Sequence, residues 1–195
     1  SISKEDVVNL RDKTGAGLID CKRALLQSNG DLEEAISILR KKGVASAAKK
    51  AGRDAGEGII AQCLNVDRTK GILVEVNCET DFVAKNQDFI TFANELAQDL
   101  LSNPEADLEA KRTEQVAKIG ENIRISRFQS LSPSGSGVVQ SYVHTGSKVA
   151  VLLSLATGSI DSASDSQVGS LAKDLCMHVA ATSPVCVSRD QVPAE

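Results

Sequence analysis

The run Gly71-Ile72-Leu73-Val74-Glu75-Val76 leads straight into Asn77-Cys78-Glu79-Thr80-Asp81-Phe82-Val83-Ala84-Lys85-Asn86. An apolar run, a polar turn and an amphipathic run beginning near Phe89 read as the end of a strand, a turn and the start of a helix. Phe82 is one of four phenylalanines in a chain without tryptophan. A large ring in a polar turn needs a pocket, either in its own chain or on a partner.

Working outward, Ile59, Ala61 and Cys63 alternate with Ile60, Gln62 and Leu64. A turn over Asn65–Lys70 joins them to Ile72–Val76, so the pair reads as a β-hairpin. Downstream, Phe89, Phe92, Leu96 and Leu100 have helical spacing as far as Asn103-Pro104. A charged helix is expected over Glu105–Lys118, broken by Gly120. Ile123, Ile125 and Arg127 then alternate with Arg124, Ser126 and Phe128 as a further strand.

After the loop Ser132–Gly137 the pattern recurs. Gly137-Val138-Val139 echoes Gly58-Ile59-Ile60, Lys148–Leu152 echoes Lys70–Val74, and Leu171–Leu175 echoes Leu96–Leu100. A strand–turn–strand–loop–helix unit is read as duplicated. The turn of the second copy, Thr157–Gly169, has no aromatic. A fold requirement should appear in both copies, whereas a contact with a partner need appear in only one.

Residues 1–54 read as three short helices and a linker. Ser3 is a good N-cap with Asp6 three residues on, and Ile2 can staple onto Val7. Val7 and Leu10 mark the buried face, and Thr14-Gly15-Ala16-Gly17 ends the helix. A second helix runs from about Leu18 to Ser28 and stops at Asn29-Gly30. Asp31 caps a third, whose face carries Leu32, Ala35, Ile36 and Leu39. Gly43 is expected to end it, and Ser46–Ala51 reads as a linker with helical preference. Leu18 and Ile19, two large apolar residues after Gly-Ala-Gly, either close this small bundle or face a partner. The expected division is 1–54, 55–132 and 133–195.

A formal charge of −4 and a pI near 5.3 argue against a dedicated nucleic-acid binder. The charge is uneven: residues 1–54 hold 11 Lys and Arg against 8 Asp and Glu, and the remainder 11 against 18. Five scattered cysteines with no C-x-x-C pair suggest reduced thiols in a cytosolic protein. No apolar run is long enough to span a membrane and the start is not a signal peptide. Ser1 fits removal of an initiator methionine. Val192-Pro193-Ala194-Glu195 reads as the start of another element.

The raw material for catalysis is thin. With His144 and His178 as the only histidines, no nucleophile, base and orienter can be grouped. Cys176 and His178 lie on a helix with Leu175, Met177 and Val179, and read as packing or surface. No four ligands have zinc spacing. Gly15-Ala16-Gly17 and Gly135-Ser136-Gly137 lack the Lys-Ser/Thr of a phosphate loop. Arg40-Lys41-Lys42 and Lys49-Lys50 read as a solvated face. No catalytic residue, cofactor, metal or membrane contact is expected, and no direct contact with nucleic acid.

Four stretches together resemble one family. Leu10-Arg11-Asp12-Lys13-Thr14-Gly15-Ala16-Gly17-Leu18-Ile19-Asp20-Cys21-Lys22 and Glu75–Asn86 resemble the two signatures of bacterial translation elongation factor Ts. Lys118-Ile119-Gly120-Glu121-Asn122-Ile123 and Ser141-Tyr142-Val143-His144 also fit. The resemblance implies an α+β protein: an N-terminal three-helix, ubiquitin-associated-like domain, then a core of two related α+β subdomains with antiparallel sheets. It implies a guanine-nucleotide exchange factor, not an enzyme, for the GTPase elongation factor Tu. Leu18, Ile19 and Lys22 would meet the partner's G domain. Thr80, Asp81, Phe82 and Val83 would form the turn inserted beside its nucleotide site, and Ile119, Gly120 and His144 would add contacts. Longer family members continue past the position of Glu195, so the C-terminal subdomain is expected to be incomplete. The sequence leaves the assembly open, a homodimer or a two-to-two complex with the partner included.

Two other readings compete. In one, the three-helix module docks a protein and the core is a scaffold. In the other, Glu79 and Asp81 serve as general acid and base of a small hydrolase. A shortened chain that binds the GTPase but exchanges poorly is a further possibility.

Overall fold

The computed structural model describes residues 2–193; Ser1 and the Ala194-Glu195 end of the expected last element lie outside that range. Three helices open the chain: α1 (Lys4–Thr14), α2 (Leu18–Gln27) and α3 (Leu32–Lys50). Local chemistry sets their ends. The Ser3 hydroxyl accepts from the Asp6 N–H at 3.0 Å and the Asp6 carboxylate accepts from the Ser3 N–H at 2.9 Å, a closed capping box. Gly15 ends α1 in the left-handed region at φ 65°. Leu10, Cys21, Ala24, Leu25 and Ala35 form the core of the bundle, with Ile2, Val7, Leu32, Ile36 and Leu39 packed around them.

Gly43 does not end the third helix. α3 continues through it to Lys50, so the expected linker is helical and continuous with the bundle. Gly43 is buried where α3 meets α6 (Glu109–Ile119). A Cβ at Gly43 would lie 3.4 Å from the Ala117 Cβ. The glycine serves close helix approach rather than helix termination.

The charged helix α6 begins at Glu109, four residues later than expected. The Asn103 carboxamide accepts from the Glu105 N–H at 3.2 Å and the Asp107 carboxylate from the Glu109 N–H at 3.0 Å. Such local bonds compete with the helical ladder and hold the intervening residues in turns.

The remaining elements are β1 (Glu57–Leu64), β2 (Gly71–Cys78), α4 (Asp81–Ala84), α5 (Gln87–Ser102), β3 (Arg124–Leu131), β4 (Gly137–Val143), β5 (Ala150–Ala156), α7 (Ile160–Ala163), α8 (Ser166–Thr182) and a single 3-10 turn, Arg189–Gln191. One sheet has the order β1-β2-β3; β4 and β5 form an antiparallel pair in which Gly137 faces Ala156 and Val143 faces Ala150. The mixture of N-terminal helices and antiparallel sheets is the expected α+β class.

The chain forms two compact units. The first comprises the chain up to Gly58, Asn77–Phe89 and Asp107–Ile125; the second comprises Ile59–Val76, Ile90–Ala106 and the chain from Ser126 onward.

The second unit holds both hairpins, and their correspondence is residue by residue. Asn65 N–H donates to Lys70 O and His144 N–H to Val149 O. Arg68 and Ser147, 79 positions apart, both take a positive φ, 55° and 56°. The exchange between hairpins is reciprocal: Ile60 N–H donates to Ser147 O at 2.8 Å and Val139 N–H donates to Arg68 O at 2.6 Å. The same spacing relates Ala93 to Ala172 and Ala97 to Cys176, all fully buried. The sequence echoes in the second strand and the helix are therefore out of register, by one residue and by one helical turn. Apolar runs match themselves when slid by a residue, and helix faces when slid by a turn.

Gly137 opens β4 at a close approach. A Cβ there would stand 2.5 Å from the Leu155 carbonyl oxygen and 2.6 Å from the Pro133 Cβ. Backbone cannot yield as a side-chain tip can. Gly137→Ala is expected to cost about 1–3 kcal/mol in urea unfolding, the usual range for overpacking.

Candidate functional site

Thr80 caps α4, the single helical turn that carries Asp81, Phe82 and Val83. Its hydroxyl accepts from the Val83 N–H at 3.3 Å, and its carbonyl accepts from the Ala84 N–H at 3.1 Å. The Phe82 side chain points outward and the residue is 82% exposed. Of the two pockets open to it on sequence, its own chain provides none.

The second copy has the same one-turn helix. Ser159 caps α7 by accepting from the Ser162 N–H at 3.1 Å. The turn is thus a fold element and its aromatic is not, because the position of Phe82 holds Asp161 in α7. The expectation that the turn of the second copy carries no aromatic therefore holds position by position.

Asp81 is half-exposed and pairs with Lys85 at 2.7 Å. That hydrogen bond is the main cause holding its carboxyl below the ordinary aspartate range, assisted by backbone N–H groups at Asp81 and Phe82. A general acid needs the opposite shift. The Glu79 carboxylate is already engaged by the Asn122 N–H at 2.6 Å and by Arg53 at 3.4 Å. The geometry gives the hydrolase reading no acid–base pair. Cys176 and His178 likewise do not meet: the former is buried, with its thiol pushed up by burial, and the latter is exposed.

Ile119 and Gly120 come to this turn from the end of α6. Gly120 takes φ 88° as the helix cap, which frees Glu121 and Asn122 to turn back toward β2. Glu121 accepts from the N–H groups of Glu79 and Thr80, both at 3.0 Å, and from the Thr80 hydroxyl at 2.6 Å. Asn122, 1% exposed, donates from its side chain to Arg53 O at 2.8 Å. The chain following α3, the end of β2 and the segment after α6 are thereby tied together. Reading the sequence gave Glu121 and Asn122 no role of their own; their partners lie some 40 to 70 residues away and leave no local pattern.

Leu18 and Ile19 lie in the same unit, at the start of α2, 47% and 74% exposed. They do not close the bundle: both are exposed at the N-terminal end of α2, and that helix fills the core with Cys21, Ala24 and Leu25. Lys22 is exposed one turn on. The loop before Leu18 is near the end of α6, with the Lys118 side chain 3.3 Å from a Cβ built on Gly15. Segments carrying nine of the ten candidate residues thus belong to one unit. His144, the tenth, belongs to the other. It is exposed, begins the β4–β5 turn, and shares a 2.9 Å hydrogen bond between Nδ1 and the Tyr142 hydroxyl. Its counterpart Asn65 builds the first hairpin turn by accepting from the Thr69 and Lys70 N–H groups.

The family model described as Elongation factor TS matches residues 79–195. All of this chain aligns with elongation factor Ts of Thioalkalivibrio sulfidiphilus, 43% identical over 208 residues and covering 68% of that protein. The chain belongs to the elongation factor Ts family. The protein of that name from Alkalilimnicola ehrlichii is 46% identical over 208 residues, with 68% of it covered. The Clostridium perfringens protein is 44% identical over 209 residues, with 67% covered. The matched family segment begins at Glu79, so it includes the Thr80–Val83 turn, Ile119, Gly120 and His144. Among the described residues no helix is long and apolar enough to cross a membrane.

Proposed function

We propose that this chain of the elongation factor Ts family is a cytosolic guanine-nucleotide exchange factor for the GTPase elongation factor Tu. It promotes GDP release by binding, without making or breaking a covalent bond. The observation that carries this reading is the exposed Phe82 ring on a turn capped by Thr80 and hydrogen-bonded to Glu121.

The physical basis is linkage. A protein that weakens GDP binding must itself bind the GDP-bound GTPase more weakly than the empty one, by the same factor. GTPases hold GDP through backbone amides of a phosphate loop and a bound Mg²⁺. A wedge that shifts the packed elements near those groups suffices, because such elements move in discrete steps. In this mechanism Phe82 is the wedge. Asp81, kept anionic by Lys85, competes for polar groups that order the Mg²⁺ and phosphate. Leu18, Ile19 and Lys22 anchor the three-helix bundle on the G domain, and Ile119, Gly120, Val83 and His144 extend the contact.

The test is stopped-flow release of fluorescently labelled GDP from elongation factor Tu, titrated with this chain. A saturable acceleration is expected; release at the spontaneous rate at every concentration overturns the reading. The anchor has its own signature. Replacing Leu18 and Ile19 together by alanine removes roughly 2 kcal/mol of docking energy if each is worth the ~1 kcal/mol that separates contributing interface residues from neutral ones. The half-saturating concentration should rise about 30-fold while the plateau rate holds.

A further inference from the structure

Glu121 has no part in the proposed contact with the partner, yet its carboxylate makes three hydrogen bonds to Glu79 and Thr80, where the chain enters the Thr80–Val83 turn. Its Oε2 accepts from two successive backbone N–H groups, those of Glu79 and Thr80, and its Oε1 accepts from the Thr80 hydroxyl at 2.6 Å. The consequence runs through the hydroxyl. A threonine Oγ1 that donates its single proton to Glu121 turns its lone pairs elsewhere, and one of them receives the Val83 N–H. The carboxylate therefore fixes both the backbone that enters α4 and the cap that closes it. Phe82 and Asp81 sit on that closed turn. The clasp is reciprocal, since Glu79 accepts from the Asn122 N–H, the residue after Glu121.

We propose that Glu121 is a positioning residue for nucleotide exchange. It holds the Thr80–Val83 turn so that the exposed Phe82 ring is presented in one orientation before the partner arrives. A rigid wedge transmits binding energy to the nucleotide site, whereas a loose one relaxes around the partner and leaves GDP in place. Glu121 acts through the turn and touches neither nucleotide nor reacting atoms. This proposal rests on the exchange function proposed above.

The test uses the full chain with Glu121→Ala and Glu121→Gln. Glutamine retains the clasp: its Oε1 accepts from the two N–H groups and its Nε2 donates to the Thr80 hydroxyl, which still caps Val83. In the GDP-release titration, Glu121→Ala is expected to lower the plateau rate about 10-fold, a positioning penalty that stays within the roughly 30-fold loss from removing the Phe82 ring itself. The half-saturating concentration should be unchanged, because the anchor at Leu18 and Ile19 is intact. Glu121→Gln should restore most of the plateau. In the Phe82→Ala background Glu121→Ala should have no further effect. Amide hydrogen exchange at Glu79 and Thr80, measured without any GTPase, should speed up in the alanine variant and not in the glutamine variant. A wild-type plateau in Glu121→Ala overturns the proposal. So does a raised half-saturating concentration at an unchanged plateau, which would make Glu121 a docking contact. If the parent chain itself does not accelerate release, the exchange function fails. Unchanged amide protection in Glu121→Ala would then refute the clasp by itself.

Discussion

Phe82→Ala is expected to leave thermal and urea unfolding unchanged and to reduce accelerated GDP release about 30-fold. The stability expectation follows from exposure. A ring 82% open to solvent contributes little burial, and surface substitutions of this kind fall within about 0.5 kcal/mol. The kinetic expectation follows from the ring's place on a capped, clasped turn. A buried aromatic at an interface hot spot is worth about 2 kcal/mol, and roughly 1.4 kcal/mol is a factor of ten in rate. Loss of exchange without loss of stability separates a partner contact from a packing residue. A destabilised variant would mean that the ring packs on its own chain in solution.

Phe89→Ala should do the reverse. Phe89 is seven residues further on and is fully buried. Truncating a buried phenylalanine removes apolar area and leaves a cavity, at about 3–5 kcal/mol. Against a typical stability of about 5–15 kcal/mol that is a large share. For a chain of this length each kcal/mol lowers the melting temperature by about 2–4 °C, so a fall on the order of 10 °C is expected. The urea midpoint should drop with little change in slope. Release activity below the unfolding transition should stay near that of the parent. A loss under 1 kcal/mol would contradict the burial of this ring.

The two phenylalanines show how much was legible before the fold was known. Phe89 has helical spacing with Phe92, Leu96 and Leu100, and all four are buried. Phe82 has no such companions, so its pattern left open whether the ring faced in or out. Caps and turns were readable because their chemistry is local: Ser3 with Asp6, Gly15 at the end of α1, Asp31 at the start of α3. Gly43 was misread because a glycine also serves where two helices approach closely, and its neighbour Ala117 is remote in sequence. The duplication was visible, but its register was not. The reciprocal bonds of Ile60 with Ser147 and Val139 with Arg68, together with the matching positive φ of Arg68 and Ser147, fix the spacing at 79 residues. Glu121 was hidden for the same reason as Gly43: its three donors lie on Glu79 and Thr80, brought to it by tertiary structure alone.

The comparison of the two copies is the strongest support for a partner contact at Phe82. Both α4 and α7 are capped single turns, and only the first carries an aromatic. His144 shows the same logic in the other direction, since the equivalent Asn65 is used to build its turn and the histidine is released from that task.

Exchange by a wedge is tested most directly by the affinity of this chain for elongation factor Tu measured twice, nucleotide-free and saturated with GDP. Linkage requires the two dissociation constants to differ, with the nucleotide-free GTPase bound more tightly by the factor through which the chain weakens GDP. A typical coupling of about 1–3 kcal/mol corresponds to a factor of roughly 5–150. Phe82→Ala should shrink that ratio. Equal affinity for the two forms would contradict exchange, however tightly the chain binds.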